Sequence, residues 1–236
     1  MEKEKIAIIP ARGGSKRIPK KNIKEFCGRP IICYAIEAAL QSKLFDEVMV
    51  STDSEEIAEI ARKYGASVPF MRSREAAGDY ASTAQVIYEV LDEYEKKGRR
   101  FDFGTCIYPT APFVTKEKLT EAMNLIQTKT GTIVLPVVAF SYPPQRGYVM
   151  KDSYIKMKYP ENFKTRSQDL EKIYHDAGQF FAINIEKYRE VQGIVIDNII
   201  PYVLSEQEVQ DIDNETDWEI AQIKYEYMIK NKKIVQ

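Results

Sequence analysis

The run from Ile6 to Asn22, IAIIPARGGSKRIPKKN, constrains this chain more than any other stretch. An apolar, strand-like segment passes directly into a glycine pair, Gly13 and Gly14, surrounded by Arg12, Lys16, Arg17, Lys20 and Lys21. A strand that ends at Pro10 and opens into two glycines lets backbone N–H groups approach an anion closely, because glycine adds no Cβ and tolerates unusual φ/ψ. The chain as a whole carries a formal charge of −1, so this cationic loop is a local device. The pattern is that of a phosphate cradle.

Spacing excludes two common cradles. The P-loop places four residues between its first glycine and Gly-Lys-Ser/Thr, and the dinucleotide fingerprint is G-x-G-x-x-G; Gly13-Gly14-Ser15-Lys16 is neither. The remaining cations suit a triphosphate or its departing pyrophosphate. A basic patch for nucleic acid is the bland alternative, but the chain lacks the overall positive charge of most nucleic-acid binders. No nucleic-acid partner is expected.

The order of predicted elements sets the fold class. After the first strand, a helical pattern runs from Pro30 to about Lys43, a buried strand from Glu47 to Thr52, and a helix from Ser54 to Tyr64 ending at Gly65. A helix from Ser82 to Lys97, a strand from Phe103 to Tyr108, a helix from Thr115 to Gln127 and a strand from Thr132 to Val138 continue the alternation. This predicts an α/β fold with a mostly parallel sheet and ligands at the carboxyl ends of the strands. Between Phe140 and Asp176 the rhythm breaks into prolines, tyrosines and a hairpin over Tyr148 to Ile155 turning at Lys151-Asp152-Ser153. Parallel architecture is expected to resume with Gln179 to Ile185, Ile199 to Leu204 and a final helix from about Asp217 to Lys230. The chain is thus expected to be a single domain over residues 1–236 with a β-rich excursion at 140–176.

At 236 residues the chain can bury one sizeable core. Its longest apolar stretch, Ile31 to Leu40, contains Glu37 and is about half of what a membrane span needs. The N-terminal MEKEK does not read as a secretory signal, so a cytoplasmic, membrane-free protein is expected. Cys27, Cys33 and Cys106 fit neither a disulfide framework nor a zinc site, and His175 is the only histidine available to activate a nucleophilic thiol.

Several motifs together resemble the cytidylyltransferases that activate acidic sugars as CMP conjugates, the acylneuraminate cytidylyltransferase family. They are Ile9-Pro10-Ala11-Arg12-Gly13-Gly14-Ser15-Lys16 with Lys21-Asn22, Val50-Ser51-Thr52-Asp53, Tyr108-Pro109-Thr110-Ala111-Pro112 and Asp211-Ile212-Asp213. The resemblance spans nearly the whole chain. It implies a Rossmann-like nucleotidyltransferase fold in which CTP lies over Ala11, Arg12, Gly13, Gly14, Lys16, Lys21 and Asn22. Lys21 would face the α-phosphate, and Arg12 and Lys16 would hold the departing pyrophosphate. Asn22, Arg72, Ser82 and Thr83 match positions around cytosine, where amides and hydroxyls can read a pyrimidine edge. Ser82 has a competing use as a helix N-cap.

Magnesium needs hard oxygen ligands, and on an extended segment residues i and i+2 point the same way, so Asp211 and Asp213 can converge on one ion. On spacing alone the pair reads equally well as caps or as part of an acidic loop. The family resemblance, with its metal-binding Asp-x-Asp, favours Mg2+. It also implies that the 140–176 excursion forms a homodimer contact and lends residues to the neighbouring site.

For the acceptor, Arg166 and Gln168 offer a carboxylate fork and an amide, and Tyr174, Phe180 and Phe181 offer flat apolar walls. Tyr108, Gln145, Arg146, His175 and Gln179 complete the expected acceptor set. Tyr108 stands where sialate-activating relatives carry a glutamine, and Tyr174-His175-Asp176-Ala177-Gly178 replaces their Tyr-Arg-Pro-Asn-Gly. These departures, with Gln145-Arg146, resemble the branch of the family that acts on pseudaminic acid, a nine-carbon 2-keto acid with two acylamino groups. The reaction implied is attack of the sugar's anomeric hydroxyl on the α-phosphorus of CTP, aided by Arg12, Lys21, Asp211 and Asp213, with no side chain assigned as general base. Its product would serve surface or flagellin glycosylation. Activation of sialic, legionaminic or ketodeoxyoctonic acid, or a non-catalytic CTP-binding module, are the alternatives.

Overall fold

A computed structural model describes residues 3–231. The chain opens with β1 (Lys5–Pro10), then a small hairpin of β2 (Glu25–Phe26) and β3 (Arg29–Pro30), α1 (Ile32–Ser42), β4 (Glu47–Ser51) and α2 (Glu55–Lys63). It continues with α3 (Arg74–Ala77), α4 (Thr83–Lys96), β5 (Phe103–Ile107), α5 (Lys116–Thr128) and β6 (Ile133–Ala139). A hairpin of β7 (Tyr148–Lys151) and β8 (Tyr154–Met157) follows, then β9 (Tyr174–Asp176), β10 (Phe180–Asn184), α6 (Ile185–Glu190), β11 (Ile199–Val203) and α7 (Glu215–Lys230). Among the described residues no helix is long and apolar enough to cross a membrane.

The central sheet has the order β11-β6-β10-β5-β1-β4, with β9 also paired to β6. β1 sits in the middle of its half, parallel to both β4 and β5. Its residues are buried on both faces: Ala7 and Ile9 pack with α1, α2 and α5, whereas Ile6 and Ile8 pack with α4 and α6. That two-sided burial is why the strand reads as a continuous apolar run rather than an alternating one. A third cluster, Ile18, Phe26, Ile31, Tyr34, Phe113, Ile212, Trp218 and Tyr225, joins the segment after β1 to the segment before α7 and to α7 itself.

The expected alternation is present, and Ser82 and Thr115 are N-caps whose side chains accept from the backbone N–H of Gln85 and Lys118. The final helix begins at Glu215, ahead of the expected Asp217, because Asn214 caps it and Asp217 closes the capping box. One strand direction differs from expectation. β10 runs antiparallel to β5 and β6, so the sheet is mixed, with β4, β1, β5, β6 and β11 sharing one direction. A central strand buried on both faces has the same apolar pattern in either direction, which is why its sequence did not reveal the reversal.

The excursion also ends earlier than expected, because Tyr174–Asp176 rejoins the central sheet as β9. β9 and β10 lie along the same edge of β6, but six residues separate Asp176 from Ala182 where their partners Val137 and Val134 are only three apart. The surplus residues, around Ala177-Gly178-Gln179, form a bulge at which Gly178 adopts φ +64°. A bulge of this kind re-aims side chains and bends the strand. β7 and β8 pair outside the central sheet, with Asp152 at positive φ in the turn, and Tyr148, Met150, Tyr154 and Ile155 are exposed.

Phe26 is fully buried and meets Tyr34, Trp218 and Tyr225 edge-on at centroid distances of 5.6, 5.5 and 5.5 Å. Phe26→Ala should therefore lower unfolding stability by about 3–5 kcal/mol, read from urea denaturation midpoints. A loss below about 1 kcal/mol would mean that the third cluster closes over the gap and does not anchor α7.

Candidate active site

A cleft of about 690 Å³ opens where β1 and β5 end, the position at which α/β sheets hold ligands. Arg12, Lys16, Lys21, Asn22, Arg72, Thr83, Tyr108 and Asp211 all line it, together with Arg17 and Asp79. Thus residues scattered over two hundred positions of sequence converge on one concavity whose wall is dominated by cations.

The loop after β1 is held by its own chain and by β4. Asn22 Nδ2 donates to Arg12 O at 2.9 Å, closing the loop, and Gly13 N–H donates to Asp53 Oδ1 at 2.8 Å. Ala11 N–H donates to Ser51 O at 2.9 Å. The amides of Ala11 and Gly13 are therefore engaged within the protein, and Arg12, Lys16, Arg17, Lys21 and Arg72 bring positive side chains to the cleft. A Cβ on Gly13 would lie 3.1 Å from Ser54 Cβ, so this glycine serves close approach to the β4 exit, whereas Gly14 faces open space.

Lys21 is the least exposed of the loop's lysines. Its Nζ donates to Ile212 O at 2.6 Å and lies 4.0 Å from Asp213 Oδ1. Burial pulls its pKa down, while Asp213 and Asp211 push it back up. Lys20, by contrast, turns away and pairs with Glu56 at 2.8 Å.

Between the two aspartates Ile212 is buried in the third cluster, so Asp211 and Asp213 face away from that cluster, as an extended segment requires. Neither side chain caps α7, whose cap is Asn214. Asp213 pairs with Arg17 at 2.7 Å; Asp211 lines the cleft. Among the described residues no group of three or more His, Cys, Asp and Glu side chains is gathered for a metal. Two carboxylates leave room for phosphate and water oxygens, which is how Mg2+ is commonly held.

Arg72 is buried, with Nε donating to Ser51 Oγ at 3.0 Å and Nη2 to Ser51 O at 2.5 Å. The Tyr108 hydroxyl interacts with Thr83 at the start of α4, and burial raises its pKa. Ser82 contributes the α4 cap and is not part of the cleft wall.

A second, smaller cavity of about 210 Å³ is lined by His175, Ser141, Val138, Val209, Lys224 and others, and by Asp211. Asp211 is thus the carboxylate shared by both cavities. His175 Nδ1 lies 2.8 Å from Asp176 O, and the ring packs 4.6 Å from Phe140, centroid to centroid.

The other expected acceptor residues are not gathered here. Phe180 and Phe181 are buried on opposite faces of the sheet, in the two main cores, and form no wall of either cavity. Gln179 is also buried, its amide donating to Glu208 O. Gln145 and Arg146 bind the carbonyls of Glu171 and Thr165, Arg166 pairs with Asp169 at 2.7 Å, and Gln168 and Tyr174 are exposed outside the cavities.

Two cleft residues escaped the sequence reading. Asp79 receives Arg12 Nη1 at 3.0 Å and Lys16 Nζ at 2.5 Å, and both cations hold its carboxyl below the usual range. Asp176 is exposed as a residue, yet its carboxylate accepts from Gly178 N–H at 2.8 Å against the cleft wall. Crowding by protein and the nearby Asp211 charge raise its pKa despite that bond. Asp79 lies in the short loop between α3 and α4 and Asp176 ends the three-residue strand β9, both too short to show periodicity, and only the Tyr174-to-Gly178 stretch hinted at the second.

A family model described as cytidylyltransferase matches residues 6–179. Over 221 residues the chain is 41% identical to the pseudaminic acid cytidylyltransferase of Campylobacter jejuni, covering 93% of this chain and 95% of that one. It is 35% identical to the CMP-N,N'-diacetyllegionaminic acid synthase of Legionella pneumophila, covering 92% and 94%. Its fold is similar to that of a CMP:2-keto-3-deoxy-manno-octonic acid synthetase solved in complex with CTP, with a TM-score of 0.69 at 16% identity over 98% of this chain and 100% of the other.

Asp79 bridges Arg12 and Lys16, so a phosphate that takes the same donors would displace it. Asp79→Asn should tighten binding of inorganic pyrophosphate about two- to fivefold, measured by calorimetry. Weaker binding in the variant would show that Asp79 shapes the loop instead of competing for it.

Proposed function

The chain belongs to the cytidylyltransferase family, and from that premise we propose that it transfers CMP from CTP to the anomeric hydroxyl of pseudaminic acid, releasing pyrophosphate. The observation that carries the reading is the place of Asp211, a carboxylate on the boundary between a cation-lined cleft and the smaller cavity that holds His175. Two reactants, a triphosphate and a sugar acid, would meet at such a boundary.

In this reading Arg12 and Lys16 exchange Asp79 for the β- and γ-phosphates, and Lys21, fixed by Ile212 O, neutralises charge at the α-phosphate. Phosphoryl transfer asks for positioning and charge neutralisation more than covalent participation by the protein. Arg72, Thr83 and the carbonyl side of Asn22, which line the cleft, would read cytosine, with Ser82 acting through the start of α4. Asp211, joined by Asp213 once Arg17 is drawn to phosphate, would hold a divalent cation, which we assign as Mg2+. Bound there, the ion would neutralise phosphate oxygens and favour ionisation of the acceptor hydroxyl.

Tyr108 and His175 fit the acceptor and separate it from sialic acid, with the sugar's acylamino groups against the His175 cavity. Gln145, Arg146, Arg166 and Gln168 lie on the excursion, away from their own cleft, and we assign them to the neighbouring site of a homodimer. The exposed Tyr148, Met150, Tyr154 and Ile155 on β7 and β8 supply the apolar surface for that contact. The whole chain then acts as a single domain, with residues 140–173 as the dimerisation excursion and β9 returning to the sheet.

Pyrophosphate release with CTP and Mg2+ should be fastest with pseudaminic acid when tested beside legionaminic, N-acetylneuraminic and ketodeoxyoctonic acids. A preference for another acid would move the specificity, and CTP binding without release for all four would favour a non-catalytic binding module. Asp211→Asn should cut turnover by about 100-fold or more while circular dichroism and the melting transition stay close to the parent. Near-normal rates in both Asp211→Asn and Asp213→Asn would remove the metal assignment.

A further inference from the structure

Lys118 stands where lysines are rarely found. It lies in the first turn of α5, the end of a helix that disfavours cations, and it is only 6% exposed. Its ammonium donates to Phe113 O at 3.0 Å and lies 3.1 Å from Glu208 Oε1. Burial pulls its pKa down, and Glu208 opposes that shift. A charge kept in so unfavourable a place holds two segments together: the loop that leaves β5 through Tyr108, and the acidic segment that leads to Asp211.

A second link runs in parallel. The Glu208 carbonyl accepts from Gln179 Nε2, and the Gln179 carbonyl accepts from Tyr108 N–H at 2.9 Å. Gln179 Oε1 is buried without a partner, so only the bond to Glu208 orients the amide. Gln179 belongs to the bulge between β9 and β10, and the preceding Gly178 lies against Asp211: a Cβ there would be 3.7 Å from Asp211 Cγ. Tyr108, Gly178 and Asp211 are all walls of the cleft. Lys118, Glu208 and Gln179 lie behind those walls and tie them to one another.

We propose that Lys118, with Glu208 and Gln179, is a positioning residue for nucleotidyl transfer: a buried polar clasp that sets where Asp211 stands relative to the Tyr108 wall. The inference rests on the role given to Asp211 above. It assigns Gln179 to the clasp rather than to contact with the acceptor.

The test compares Lys118→Met, Glu208→Gln and the double variant Lys118→Met/Glu208→Met with the parent protein. Lys118→Met should raise the Mg2+ concentration for half-maximal rate and lower kcat, each by about tenfold, with KM for CTP within about twofold. Amide exchange should quicken in peptides covering residues 205–213 and stay unchanged in β1 and α1. Glu208→Gln, which keeps an acceptor for the ammonium, should retain most of the parent's rate. The double variant removes the unpaired charge and should recover thermal stability without recovering kcat.

If kcat in the three variants instead follows their melting temperatures, or if exchange at 205–213 is unmoved in Lys118→Met, the clasp is a structural ion pair only and the proposal fails. If Lys118→Met does not fold, the other two variants decide by the same criteria. A parent protein that releases no pyrophosphate would overturn the reading of the reaction, whereas an active parent with unchanged variants would overturn the clasp alone.

Discussion

One bond joins the two ends of this molecule's chemistry. Lys21 Nζ, on the cationic loop after β1, donates to the carbonyl of Ile212, 191 residues further along the chain. The surrounding packing keeps it in place: Ile18 and Phe26 on one side of the loop and Ile212, Trp218 and Tyr225 on the other share one apolar cluster. Lys24 adds an ion pair to Glu215 at 2.5 Å and lies over the Trp218 ring at 4.7 Å. The carbonyl fixes the ammonium 4.0 Å from Asp213 Oδ1 without itself neutralising the charge. The cleft therefore has a cation of defined position before any ligand arrives, which is what electrostatic preorganisation requires.

The opposite wall depends on an irregularity. Were β9 and β10 one regular strand, the segment from Asp176 to Ala182 would stay in register along β6 and present alternating side chains to the two cores. The bulge instead places Gly178 at positive φ beside Asp211 and sends Gln179 inward to Glu208. β10 then enters the sheet between β5 and β6 with Phe180 on one face and Phe181 on the other. The packed end of the strand anchors a free backbone segment at the site, so rigidity and exposure lie only a few residues apart.

Much of this was legible because it depends on burial patterns that repeat locally. The strand Ile6 to Pro10, the helix starts at Ser82 and Thr115, and the clustering of Arg12, Lys16 and Lys21 follow from periodicity, capping and composition. Strand direction does not: Phe180 to Asn184 is apolar on both faces and reads alike in either sense. Phe180 and Phe181 were expected as pocket walls for the same reason, since an aromatic residue in a core and one at a ligand look identical in sequence. Asp79, Asp176 and the Lys118–Glu208 pair were invisible because their meaning lies in partners tens of residues away. Local periodicity, in a loop or in the first turn of α5 where Lys118 sits, carries no record of such long-range pairings.

The charges of the cleft also explain how it can be specific without being rigidly filled. Arg12 and Lys16 close on Asp79, and Arg17 closes on Asp213, with side chains exposed between 39% and 78%. Ion pairs this wet contribute little to stability. A phosphate that replaces Asp79 gives up almost nothing and gains charge-assisted hydrogen bonds to the same two cations. Lys21 and Arg72 differ, because their bonds to backbone carbonyls are buried or partly buried and less open to exchange with solvent or ligand. In the proposed reading the site combines two fixed cations, Lys21 toward phosphate and Arg72 toward the base, with a set of exchangeable pairs that balance the charge of the cleft. On that reading the fixed groups would orient the substrate, and the exchangeable ones would let a highly charged product leave by re-forming the pairs that its substrate displaced.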